Sequence, residues 1–240
     1  MGWSYSFWRG SFYPEKTPSN EFLTYYARHL NSVEVDSTFY RIPREQTVTE
    51  WRNQTPDGFV FSLKFPQTIT HIKMLKDAEE VTQVFLERVS KLDEKLGALL
   101  LQLPPTFKWE HLPLLERYLG ALPTHHKYAV EFRNKSLLNP SVYELLRKRN
   151  IALSWVDTPK MPPMDEVTAD FVYVRWEGDR KTVVGTKGET EQNRTSDIQA
   201  WARRLKPFLT RGLEVFGYFS KYYSGNPAGD AQAFMQQVDR

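Results

Sequence analysis

Short β-type runs recur eight times along this chain of 240 residues, and amphipathic stretches fill most of the intervals between them. Strands are expected near 2–5 (GWSY), 32–38 (SVEVDST), 59–65 (FVFSLKF), 98–103 (ALLLQL), 128–133 (YAVEFR), 151–156 (IALSWV), 170–176 (DFVYVRW) and 214–219 (EVFGYF). Between them, Phe22, Leu23, Tyr26, Ala27 and Leu30 share one face of a helix over 20–30, and Val81, Val84, Phe85, Val89, Leu92 and Leu96 recur at helical spacing over 79–96. A last helix starts at Asn226 as cap, with Pro227 in its first turn. Strand and helix alternating in this way over about 250 residues define an α/β protein of the TIM-type (β/α)8 barrel class. The competing doubly wound sheet lacks its G-x-G-x-x-G turn after the first strand, and no P-loop occurs. The barrel is expected to be irregular at its sixth β/α unit, because 158–169 (TPKMPPMDEVTA) is too rich in proline for a full helix. Without a linker or internal repeat, residues 1–240 read as a single domain.

Strand parity then sorts the side chains. Alternate residues face opposite sides of a strand, and in a barrel the outward set packs under helices while the inward set fills the cylinder or lines its mouth. If Val33 and Val35 face outward, Glu34 and Asp36 face in. By the same rule Ser62 and Lys64, Gln102, Glu131 and Arg133, and Tyr173 and Arg175 point inward, and Asp157 follows the sixth strand closely enough to join them. Charges buried without partners cost several kcal/mol each, so these groups must pair with one another, reach water or hold a ligand. Barrel interiors are usually apolar, which favours a ligand site.

The residue types narrow the chemistry. Two carboxylates among cations, Glu34 and Glu131, suit an acid–base pair. Arg133, Lys64 and Arg175 suit an anion clamp, since arginine forks onto phosphate or carboxylate oxygens. Lys221, in KYYSGNPAGDA after the last strand, stands where many barrels hold a phosphate on a helix N-terminus. Of five histidines only His71 falls after a strand on the mouth side, too few for a zinc centre. No cofactor is expected; a magnesium-type ion on Glu34, Asp36 or Glu131 is the lesser alternative. The chain has no cysteine, which excludes disulfides and thiolate chemistry and accords with a cytoplasmic setting. No run approaches the roughly 20 apolar residues of a membrane span, so no membrane partner is expected. The net charge of +3 permits an anionic partner without demanding one. Basic runs such as Arg147-Lys148-Arg149 read as solvated helix faces.

Six segments in order, GWSYSFWRGSFYP, VEVDSTFYRIP, WRNQTPDGFVFSLKFPQTITH, LLLQLPPTF, AVEFRNKSL and FVYVRWEG, resemble the YecE-like family of unknown function, DUF72. The resemblance runs nearly the whole chain and implies a single TIM-type barrel, with no assigned activity. It places the family's motif positions on Trp3, Tyr5, Trp8, Glu34, Thr38, Tyr40, Lys64, His71, Gln102, Glu131 and Arg133. Two positions depart from it: Glu177-Gly178 stands where the family usually has His-Gly, and Ser220-Lys221 where it usually has an Asn pair. Family members also usually carry a few residues before the Gly-Trp, which here follows Met1 directly. The family's likeness to endonuclease and sugar-isomerase barrels has prompted the idea of nucleic-acid binding, a fold-level analogy.

The opening MGWSYSFWRGSFYP puts six aromatic rings in its first thirteen residues. Either Phe7, Trp8, Phe12 and Tyr13 form a stacking rim for bases or sugars, joined by Tyr40, Trp51, Tyr222 and Tyr223, or the rings plug the barrel end; Trp3, Tyr5, Trp8 and Tyr40 are the aromatic ligand contacts expected. The expected ligand is an anionic small molecule or single-stranded nucleic acid bearing phosphate, with acid–base hydrolysis and plain binding both open. The alternatives are a nucleic-acid-binding module without catalysis and a hydrolase acting on a neutral sugar.

Overall fold

The computed structural model describes residues 1–238. Seven parallel strands follow one another around a nearly closed barrel: β1 (Ser32–Val35), β2 (Val60–Lys64), β3 (Leu96–Gln102), β4 (Tyr128–Glu131), β5 (Ala152–Asp157), β6 (Phe171–Trp176) and β7 (Glu214–Phe219). Each is hydrogen-bonded to its neighbours in sequence order, as right-handed β-α-β crossovers dictate. The α-helices are α1 (Phe22–Ala27), α2 (Ser37–Tyr40), α3 (Glu45–Asn53), α4 (Glu79–Val89), α5 (Leu112–Ala121), α6 (Pro140–Arg147), α7 (Thr195–Thr210), α8 (Lys221–Ser224) and α9 (Pro227–Val238). Caps set several starts: the side chain of Asn139 accepts from Val142 N in front of Pro140, and that of Asn226 accepts from Gly229 N in front of Pro227. The expected helix over 79–96 ends at Val89, because Asp93 takes a positive φ of 49° inside the 3-10 turn that follows.

The strand expected over 2–5 does not form. Gly2 adopts φ +69°, a conformation open chiefly to glycine, and turns the chain off the sheet after two residues. Those two residues nevertheless sit where an eighth strand would start. The Met1 amino group donates to Phe219 O on β7 (2.8 Å) and Gly2 N donates to Glu34 O on β1 (2.8 Å), so the pair bridges the seam. Below the bridge a cavity of about 220 Å³ separates the edges of β7 and β1, among Leu30, Ser32, Val215, Gly217 and Phe234. The alternation Trp3/Tyr5 that suggests a strand comes instead from rings packing locally: Trp3 lies edge-on to Trp51 at 5.6 Å, and Tyr5 against Trp8 at 4.9 Å.

Parity sorts the core as expected. Val33, Val35, Phe61, Leu63, Leu99, Leu101, Val130, Leu153, Val172 and Val174 belong to one large cluster shared with the helices. Ala98, Leu100, Ala129, Ala152, Tyr173, Phe216 and Tyr218 form a second, smaller cluster inside the cylinder. Burying each large aliphatic side chain contributes roughly 1.5–3 kcal/mol, so reversing the register of any one strand would lose several such terms at once. Between β5 and β6 the proline-rich segment forms no helix, as its composition predicts. It is tied down by Trp155 Nε1 donating to Glu166 O (2.9 Å), and by Thr168 Oγ1, which accepts from Leu153 N and donates to Ile151 O.

Candidate functional site

The interior charges meet at the C-terminal end of the barrel, with Arg175 of β6 at their centre. Its Nε and Nη2 donate to both oxygens of Glu34 on β1 (2.8–3.1 Å), and its Nη1 reaches Glu131 Oε2 of β4 (2.6 Å) and Glu177 Oε1 (2.5 Å). Nη2 also donates to Met1 Sδ (3.4 Å). Glu34 takes a further hydrogen bond from Tyr173 OH (2.6 Å), and Glu131 one from Gln102 Nε2 (3.1 Å), its register partner on β3. Arg133 closes the network, its Nε against Glu131 Oε1 and its Nη2 3.3 Å from Glu177 Oε1. Glu34 and Glu131 are fully buried. Such a network holds only because every charge in it lies against a partner of opposite sign. Burial alone would raise the Glu177 carboxyl, but Arg175, Arg133 and Lys64 outweigh it and hold it at about 2.

Above this floor opens a cavity of about 650 Å³. Its inner wall carries Asp36, Lys64, His71, Gln102 and Arg133, and its rim Tyr5, Phe39, Tyr40, Lys160, Arg180, Lys181, Lys221 and Tyr222. Lys64 ends β2, where Thr38 Oγ1 donates to its carbonyl (2.7 Å) and to Val35 O (2.9 Å), pinning β1 and β2 together. The Lys64 ammonium lies over the Phe39 ring (4.3 Å) and 4.0 Å from Asp36 Oδ1, with its side chain 12% exposed. Burial, and then the Arg175 charge, push its pKa down against the opposing pull of Asp36, Glu131 and Glu34. His71 is likewise lowered, by burial and then by Lys64 and Arg133; its Nδ1 shares a hydrogen bond with Thr70 Oγ1 (2.8 Å). On the rim, Lys221 Nζ and the Arg180 guanidinium stand over the Tyr222 ring at 5.1 and 4.6 Å.

Of the residues singled out from sequence, Tyr5, Asp36, Tyr40, Lys64, His71, Gln102, Arg133, Arg175 and Lys221 line this one cavity. Glu34 and Glu131 lie beneath it, turned onto Arg175 rather than toward a guest. Three residues lie elsewhere. Trp3 packs on Trp51 and Phe61, and Trp8 is buried with Phe12 and Tyr13 in an aromatic cluster that secures the first loop. Asp157 accepts from Trp201 Nε1 of α7 (2.8 Å), outside the mouth. Most of the aromatic opening is therefore plug, and only Tyr5 of the three motif rings reaches the rim. Glu177, absent from the expected site, was reachable: extending the alternation of β6 by two residues past Arg175 turns it inward. Lys160, Arg180 and Lys181 sit on loops, where parity gives no direction. Among the described residues no group of three or more His, Asp or Glu side chains is arranged to hold a metal ion, and Glu34 and Glu131 are taken up by arginine. No helix of the described residues is long and apolar enough to cross a membrane.

Fold and site together define a parallel α/β barrel with a charged, mouth-facing cavity over a buried ion-pair floor. The chain belongs to the family described as protein of unknown function DUF72, whose family model matches residues 1–240. It is 25% identical over 259 aligned positions to the UPF0759 protein YunF of Bacillus subtilis, covering 95% of this chain and 90% of that one. It is 43% identical over 112 residues to the UPF0759 protein YecE of Escherichia coli K12; that match spans 47% of this chain and 41% of the relative. A crystal structure of a DUF72 family protein from Thermotoga maritima superposes with a TM-score of 0.83 at 28% identity, covering 100% of this chain and 97% of that one. A methyltransferase from Methanosarcina mazei, at 10% identity and a TM-score of 0.54 over 96% of this chain and 88% of that one, shares the fold alone.

Proposed function

We propose that the protein binds a phosphate-bearing ligand at the barrel mouth, its anionic group on the rim cations and its body over the ion-pair floor. What supports this reading is a division of charge. On the floor, Arg175 and Arg133 are matched by buried carboxylates. On the rim, Lys160, Arg180, Lys181 and Lys221 have no salt bridge to an acidic group among the described residues. Cations gathered at a concave mouth without partners attract and orient anions. A cavity of about 650 Å³ suits a sugar phosphate or a single nucleotide. The exposed Tyr40 ring (74%) and Tyr222 offer faces for a base, so the end of a single strand is the larger form of the same ligand.

In this reading Glu34 and Glu131 are positioning groups that fix Arg175 and Arg133. Proton chemistry on a guest falls to Asp36, Lys64 and His71, which face it. A hydrolase of neutral sugars would need two carboxyls open to the sugar about 5–10 Å apart; both interior glutamates face a guanidinium instead. Phosphorylated metabolites are held inside cells, and the reading places the protein in the cytoplasm.

Calorimetric titration with glycerol 3-phosphate, at low and at physiological ionic strength, tests the proposal. Affinity should fall as salt rises, and the Arg180→Ala/Lys221→Ala double variant should lose at least about tenfold, the worth of one charge-assisted hydrogen bond. Absence of binding at millimolar ligand, or binding indifferent to both salt and the double variant, would refute it. A fluorescent single-stranded oligonucleotide, titrated in parallel, decides between the two sizes of ligand through its salt slope.

A further inference from the structure

The interior cations are not alike. Arg175 spends its donors on Glu34, Glu131 and Glu177, with Asp36 Oδ1 3.7 Å from its Nη2, and Arg133 lies between Glu131 and Glu177. Lys95, the other buried lysine, donates to Arg52 O and Thr55 O. Lys64 differs from all of these. Its ammonium has no hydrogen-bond acceptor among the described residues; its nearest carboxylate oxygen is 4.0 Å away, and its tip opens on the cavity. The Phe39 ring covers one side of it, and its backbone is clamped by Thr38. A lysine that is desolvated, near other cations and facing a cavity has the environment that turns an ammonium into a nucleophilic amine.

From this geometry we infer that Lys64 forms an imine with the carbonyl carbon of a phosphorylated aldehyde or ketone whose phosphate sits on the rim cations. The inference rests on the anion-binding reading above and extends it to covalent chemistry. Asp36, 4.0 Å away, takes one proton from the Lys64 ammonium through one intervening water. The freed nitrogen lone pair attacks the carbonyl carbon, the C=O π pair moves to oxygen, and one proton passes from the now cationic nitrogen to that oxygen to give a neutral carbinolamine. Loss of that hydroxyl as water, with a proton returned by Asp36, leaves the protonated imine C=NH⁺. Overall, ammonium and carbonyl become iminium and one water, with no redox change. The groups that set the amine's protonation are Asp36, Glu34 and Glu131, which favour the ammonium, and Arg175, which opposes it along with burial.

The experiment uses glyceraldehyde 3-phosphate with sodium cyanoborohydride, which delivers hydride to the imine carbon and fixes it as a secondary amine, followed by peptide mapping by mass spectrometry. Lys64 should carry the adduct ahead of the chain's other lysines. Glycerol 3-phosphate, which has no carbonyl, should protect it, and Lys64→Arg should abolish it at that site. Because the variant could fold poorly, the wild type supplies its own control: labelling of Lys64 should persist at a pH where surface lysines have stopped reacting. Glycerol 3-phosphate binding without preferential Lys64 labelling overturns the imine and leaves the anion site standing. Equal labelling by neutral glyceraldehyde, unprotected by glycerol 3-phosphate, overturns the phosphorylated substrate class and the anion site with it.

Discussion

At the scale of single residues, the account turns on Glu34 and Arg175. A buried guanidinium without its carboxylates carries an uncompensated charge, so Glu34→Gln should cost roughly 3 kcal/mol in urea unfolding. Tyr173→Phe, which removes only the hydroxyl donating to the same carboxylate at 2.6 Å, should cost about 1 kcal/mol. Equal losses for the two would mean that the ion pair carries no special weight. Asp230 gives a prediction of opposite character. Its carboxyl is buried in α9 with Ser224 Oγ donating at 2.5 Å, and burial pushes its pKa up to about 7 against the opposing effects of Ser224 and Arg194. Between the ordinary carboxylate range and about 7 the folded state holds the proton more tightly than the unfolded chain does. This group's contribution is therefore most favourable at low pH and is lost as pH rises toward 7. Asp230→Asn should raise the Tm more at pH 8 than at pH 5, by thermal melts at both; a gain confined to pH 5 would contradict the assignment.

At the scale of elements, the loops after β6 and β7 set the mouth's shape through one close approach. Gly178 has φ +66°, and a Cβ there would come within 2.1 Å of Tyr222 O. Gly178→Ala should therefore cost on the order of 2–4 kcal/mol and weaken ligand binding at the rim, because the Arg180 and Tyr222 loops must part. Stability and affinity left unchanged would show that the loops do not pack as described. Seven of the eight expected strands form, since a run of aliphatic residues facing both helices and cylinder has few other places to go. The eighth fails on one residue: Gly2 turns the chain, and the Trp3/Tyr5 alternation that imitates a strand arises from local ring packing. The helix over 79–96 buries Phe85 and Val89 but leaves Val84 exposed, and the segment after it breaks at Asp93, a backbone conformation that hydrophobic spacing does not encode.

At the scale of the molecule, the barrel converts sequence alternation into a site. Glu34, Lys64, Gln102, Glu131, Arg133 and Arg175 were legible as inward groups because parity depends only on the pleat. Whether such groups face a guest or one another depends on which partners the nearly closed cylinder brings across it, and here it brings Arg175 onto Glu34 and Glu131. The rim cations at 160, 180, 181 and 221 were legible only in part, since loops obey no period. Trp8, Phe12 and Tyr13 were ambiguous from sequence because the same rings can stack on a ligand or on the protein; here Phe12 and Tyr13 pack on Phe22 and Tyr25, and Trp8 packs on Phe12 and Tyr13. The most direct measurement is a crystal structure of the protein with glycerol 3-phosphate. The account predicts phosphate density at the mouth in contact with Arg180 and Lys221, with Arg175 still held by Glu34 and Glu131. Phosphate bound only on outer helix faces, or Arg175 released from its carboxylates to take it, would contradict the account.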